Sequence, residues 1–163
     1  EKQVDRLAGI DGLPGVRLVI VGDGPDADAL RARLPHAAFL GFRAGDDLAA
    51  AYASLDVFVH TGPHETFCQA VQEAMASGVP VIAPNSGGPM DLIGHGRTGY
   101  LLTPQDRVAF AAELRAALAE LADPARRARM GEAGRRAVLG RTWPAVCDEL
   151  IGHYAAVSLA EAA

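Results

Sequence analysis

The strongest constraint on how this chain folds is a recurring unit: a short apolar run closed by a glycine, a proline or a polar loop, then a helix pattern. Leu18-Val19-Ile20-Val21 ends at Gly22, Ala37 to Leu40 at Gly41, Val57-Phe58-Val59 at the loop opened by His60, and Val81-Ile82-Ala83 at Pro84. Runs this short and this apolar are the mark of strands buried on both faces, as in a parallel sheet covered by helices. The intervening segments read as helices. One runs from Asp26, as N-cap, to about Leu34. A second is capped by Asp46 or Asp47, reaches about Ser54 and buries Leu48, Ala51 and Tyr52. A third spans Phe67 to Ser77 and stops at Gly78. A short helix near Met90 to Ile93 precedes a last strand at Tyr100 to Leu102. Three helices follow at about 105–122, 125–139 and 143–158, with Pro124 and Pro144 where helices begin. Strand–helix alternation without a linker or repeat predicts an α/β domain with a Rossmann-like parallel sheet flanked by helices, one domain over 1–163.

Composition narrows the function. With 163 residues, half of them hydrophobic, the chain can bury a core, which excludes disorder. A net charge of -5 without blocks of like charge argues against a nucleic-acid partner. Cys68 and Cys147 have neither metal nor redox spacing, no apolar run approaches the ~18 residues of a membrane helix, and no signal-peptide pattern is present. A reduced, cytoplasmic setting is the expectation. Lys2 is the only lysine. The opening Glu1-Lys2-Gln3 lacks Met and reads as a fragment, with Val4, Leu7 and Ala8 on a helix face.

In such a sheet, ligands bind beyond the carboxyl ends of the strands, which singles out the loops 22–25, 41–45, 60–66 and 85–89. Gly22-Asp23-Gly24-Pro25-Asp26-Ala27 fits a dinucleotide fingerprint in form, but Pro25 removes an amide. Gly41-Phe42-Arg43 also stands where a ribose-binding acid belongs, so an NAD(P)-dependent oxidoreductase is a remote alternative. No Walker loop exists, because Lys2 follows no glycine-rich turn. The richest stretch is His60 to Glu73. Glu65 lies in the loop before the third helix, and Glu73 lies inside that helix, about two turns on from Glu65 and so roughly 10–12 Å further along the axis. The free amides near Phe67, Cys68 and Gln69 between them suit an anionic or hydroxylic ligand. One phosphate flanked by two polyol groups adds up to a nucleotide sugar. Taken singly, Glu65 also reads as a charge at a helix N-terminus and Glu73 as a solvated helix residue. His60, His64 and His95 do not make a metal set, since Gly62-Pro63 keeps the first two off a common helix face. Trp143, Val146, Leu150 and Tyr154 fall at helical spacing and read as core.

Glu65 and Glu73 resemble the E-x7-E motif of retaining glycosyltransferases with the GT-B fold, in the large family 4 group. Leu18–Pro25, Phe39-Leu40-Gly41, Ala53–Val59, Glu73–Ala83 and Gly87-Gly88 are similar to further motifs of that family in order and spacing. The resemblance covers essentially the whole chain and implies a C-terminal, donor-binding domain. It also implies an acceptor-binding N-terminal domain outside this sequence, and a first strand, likewise outside it, between the strands at 18–21 and 57–59. By the same resemblance, Glu73 binds the nucleotide ribose and Glu65 holds donor-sugar hydroxyls. Backbone groups at Phe67, Cys68 and Gln69 meet sugar and diphosphate, with many relatives carrying Gly at the place of Cys68. Lys2 neutralises the diphosphate, Gly24 lines the nucleotide cleft, Arg43 the base pocket and His64 the donor wall. The reaction implied is metal-independent transfer with retention, so no cofactor is expected and the glutamates are not a glycosidase pair. The run His60–Glu73 resembles actinobacterial GDP-mannose-dependent α-mannosyltransferases acting on lipid-linked or glycan acceptors. That favours GDP-mannose, with UDP-sugars or a GT-B-fold epimerase as alternatives, and allows peripheral work at the inner membrane face. The final helix often crosses back to the N-terminal domain in such relatives.

Overall fold

The computed structural model describes residues 1–160. A 3₁₀ turn (Val4–Gly9) leads into β1 (Val19–Val21), α1 (Ala27–Arg33), β2 (Ala38–Gly41), α2 (Gly45–Ala53), β3 (Phe58–Val59) and α3 (Gln69–Ala76). Then come β4 (Val81–Pro84), α4 (Pro89–Leu92), β5 (Gly99–Leu102), α5 (Arg107–Glu120), α6 (Pro124–Val138) and α7 (Trp143–Ala160). Every strand pair is parallel, as the buried apolar runs require. The strands form two sheets, β1-β2 and β3-β4-β5. Leu18–Val21 and Val57–Val59 both line one cleft of about 1410 Å³. The two sheets therefore meet across a gap at the place where the resemblance puts a further strand.

The core is densest around β4, all four residues of which are buried. On one side Ile82 joins Leu7, Ile10, Tyr100, Phe110 and Leu114. On the other, Val81 and Ala83 pack with Val71, Met75 and Leu92. Helix α6 docks so closely on the end of α3 that a Cβ at Gly131 would run into the Gly78 carbonyl. Asp106 and Asp123 cap α5 and α6 by accepting from Val108, Ala109 and Ala125 amides, and Pro124 opens α6 where no amide donor is needed.

Four local expectations are corrected. Helix α2 is capped by Ala44, and Asp46 and Asp47 fall in its first turn, where they face the positive end of the dipole. Helix α3 starts at Gln69, because Cys68 takes a left-handed conformation (φ 65°, ψ 69°) that a helix cannot include. In the N-terminal turn Leu7 and Ile10 are buried while Ala8 is exposed. Trp143, Val146, Leu150 and Tyr154 are exposed, Trp143 by 73%, so helical spacing marked an apolar face that the described residues do not cover. No described helix is long and apolar enough to cross a membrane.

Candidate functional site

Part of that cleft is lined by Lys2, His60, Thr61, Glu65, Cys68, Gln69 and Ala70, which gather beyond the carboxyl end of β3. Parallel strands gather their following loops at one edge, and the loop 60–68 is pinned there from two sides. Ser86 Oγ donates to the Pro63 carbonyl at 2.8 Å and the Gly88 amide to the Glu65 carbonyl at 2.8 Å. A Cβ at Gly87 would strike the backbone of Glu65, and one at Gly88 that of Phe67, so the paired glycines are needed for contact between the two loops. From the other side Thr61 Oγ1 donates to the Lys2 carbonyl at 2.6 Å, which anchors the N-terminal segment over the loop.

Lys2 Nζ donates to Glu65 Oε1 at 2.5 Å, and this hydrogen bond is the main reason that the ammonium pKa is raised. The lysine side chain is 55% exposed and Glu65 only 17%, so the carboxylate is fixed and the ammonium can move. His60 Nε2 lies 3.5 Å from the same oxygen. Its side chain is 10% exposed, its Nε2 has no hydrogen-bond partner, and burial lowers its pKa despite the adjacent carboxylate.

Cys68 closes this group. A non-glycine residue in the left-handed region costs about 1–2 kcal/mol, and such strain gathers at functional sites. Its position turns the Cys68 carbonyl to accept from Val71 and Gln72 at 3.0 and 3.4 Å. The amides of Gln69 and Ala70 are left without intrahelical acceptors at the mouth of the cleft. Burial raises the thiol pKa, so the group is a neutral wall in its resting state. Glu73 sits one turn into α3 and faces Tyr52 of α2. Burial first, then the Glu73 charge, holds the Tyr52 phenol well above its usual range.

Lys2, Glu65, Cys68 and Gln69 are thus brought together around one opening. Glu73 is half-buried beside Tyr52, which does line the cleft. Phe67 is 42% exposed, with the Arg141 guanidinium 5.7 Å above its ring. Gly24, Arg43 and His64 are exposed and outside the cleft lining, and Arg43 donates to the neighbouring Phe42 carbonyl at 2.9 Å. On sequence alone, His60, Thr61 and Tyr52 had no role in the site. A histidine closing an apolar strand, where a buried position is expected, was the available signal for the first.

A family model for Glycosyl transferases group 1 matches residues 2–120. The chain belongs to that family. It is 58% identical over 157 residues to a GDP-mannose-dependent alpha-mannosyltransferase of Mycobacterium tuberculosis (strain CDC 1551 / Oshkosh), covering 96% of this chain and 40% of that protein. To the protein of the same description from Corynebacterium glutamicum it is 50% identical, over 96% of this chain and 37% of the relative. The sucrose-phosphate synthase of Thermosynechococcus elongatus superposes with a TM-score of 0.81 at 28% identity, over 98% of this chain and 43% of that one. Anabaena HepE in complex with UDP-glucose does so with a TM-score of 0.76 at 26% identity, over 96% of this chain and 45% of that one. The resemblance to GT-B glycosyltransferases drawn from the motifs is borne out, and membership of the group 1 family sets the dinucleotide reading aside. The chain spans about 40% of the length of the mannosyltransferase relatives.

Proposed function

We propose that this chain is the donor-binding domain of a retaining glycosyltransferase that uses GDP-mannose and passes mannose to a lipid or glycan acceptor. Acceptor binding then falls to the part of the relatives that this chain does not span. A lipid acceptor implies work at the cytoplasmic face of a membrane. The observation that carries the reading is the Lys2–Glu65 pair at the cleft mouth, set against the free amides of α3. The 58% identity to a protein described as GDP-mannose-dependent supports the choice of donor.

In this reading Lys2 keeps one N–H on Glu65 and turns the other two to the diphosphate, while the Gln69 and Ala70 amides donate to its remaining oxygens. The site then stabilises the departing nucleoside diphosphate without a metal cofactor, through positive groups fixed in advance. Glu65, tied at one oxygen, offers the other to sugar hydroxyls. Glu73 takes the ribose, with Tyr52 holding its carboxylate in place, and Phe67, Cys68, Gly24, Arg43 and His64 complete the donor surface.

Calorimetric titration with GDP, GDP-mannose, UDP and UDP-glucose tests this. GDP is expected to bind at least tenfold more tightly than UDP, and Glu73→Ala to weaken GDP. Tighter binding of UDP overturns the mannosyl assignment. Conversion of the donor to an epimer without acceptor, followed by product analysis, would replace transfer by epimerisation.

A further inference from the structure

We infer that His60, Glu65 and Cys68 form a binding site for a soft divalent cation of the Zn2+ class, and that such a cation competes with Lys2 for Glu65. One ligand atom from each residue, an imidazole nitrogen, a carboxylate oxygen and the thiol sulfur, lies within 4.8 Å of the other two. The 3.5 Å between His60 Nε2 and Glu65 Oε1 matches an edge of the tetrahedron, about 3.4 Å, that zinc bonds of about 2.1 Å define. Rotation of the Cys68 side chain is the adjustment that remains. His60 supplies an independent observation: its Nε2 has no partner although nine-tenths of the side chain is buried. A buried polar atom without a partner is costly, and this one lies 3.5 Å from the Glu65 carboxylate.

The donor set selects the metal. Thiolate with imidazole prefers Zn2+ or Co2+ over Mg2+ and Ca2+, which take oxygen ligands. Three protein ligands leave a fourth position open to water from the cleft. The metal displaces the thiol proton to solvent and takes the Glu65 oxygen from Lys2, whose half-exposed ammonium swings into water. The cation is not a cofactor in this account. It occupies the carboxylate that the donor needs, and that competition, unlike the binding itself, rests on the function proposed above. Sequence reasoning considered His60 with His64 and His95. His64 is exposed, and the partners that tertiary structure gives His60 are Glu65 and Cys68.

Titration of the reduced protein with Co2+ reads the site without any activity assay. A thiolate-to-Co2+ charge-transfer band in the near ultraviolet, with intense visible bands of tetrahedral cobalt, is expected and should be bleached by Zn2+. Cys68→Gly, which suits the left-handed backbone and so keeps the fold, should abolish the charge-transfer band. His60→Leu should weaken Co2+ at least about tenfold, while Cys147→Ser should change nothing. Absence of the band at millimolar Co2+, or its survival in Cys68→Gly, overturns the site. With GDP-mannose added, loss of the band supports competition and simultaneous binding overturns it. If calorimetry detects no donor binding, the donor reading fails while the cobalt spectrum still decides the metal site.

Discussion

Replacing Gly88 by alanine isolates the contact that positions the loop 60–68. Gly88 has φ −52° and ψ −36°, which alanine adopts freely, so the effect is steric. A Cβ there would collide with the backbone of Phe67, and neither loop can yield by rotating a side chain. Such overpacking costs about 1–3 kcal/mol. Separating the loops also weakens the bond from the Gly88 amide to the Glu65 carbonyl, about 1 kcal/mol more. Reduced freedom of the unfolded chain returns about 0.4–1 kcal/mol, leaving a net loss of about 1–3.5 kcal/mol. With a urea slope near ~2 kcal/mol per molar, the midpoint falls by about 0.5–1.8 M. Gly24→Ala is the control, since a Cβ there meets nothing within 4 Å and the expected change is within about 0.5 kcal/mol. Urea unfolding followed by far-ultraviolet dichroism checks both. A Gly88→Ala midpoint equal to wild type, or a Gly24→Ala midpoint equally lowered, would refute the claim that loop-to-loop contact fixes the site.

Three further outcomes are expected. At the left-handed Cys68, valine should cost at least about 2 kcal/mol, because a β-branched residue is a true outlier there, whereas glycine should cost less than about 1; equal midpoints would contradict the strained geometry. The Tyr52 phenol is raised above its usual ~10, so the folded protein keeps a proton that the unfolded chain loses. The stability this gives is complete below pH ~10 and is lost as pH rises through the folded value. Tyr52→Phe should flatten that alkaline decline in urea titrations at stepped pH, and an unchanged slope would count against a phenol raised by its burial and by Glu73. Trp143, the single tryptophan, is exposed. Its fluorescence should be red-shifted in the native state and move little on unfolding, while Trp143→Ala should change stability by less than about 0.5 kcal/mol.

What was legible in the sequence was what local chemistry encodes. The strand runs at 18–21, 37–40, 57–59, 81–83 and 100–102 hold to within one or two residues, since buried apolar runs have few other solutions. Proline at the start of α6 was equally plain. Glu65, Cys68 and Gln69 were found because a loop between a strand and a helix in a parallel sheet must reach its carboxyl edge. The start of α3 was misjudged because a left-handed cysteine gives no compositional sign, and the face of Trp143 and Tyr154 because periodicity reports an apolar surface and not its cover.

Sequence alone therefore determined the α/β class, the order of elements and the loop that carries the site, all of which follow from propensity and hydrophobic period. Only tertiary structure decided that Lys2, 63 residues before Glu65, is its hydrogen-bond partner. It alone showed that His60 is a buried, unpaired member of the same cluster and that two glycines of another loop press this one into place. Those facts depend on distances between segments far apart in the chain, and contact across space leaves no local signature in the residues that make it.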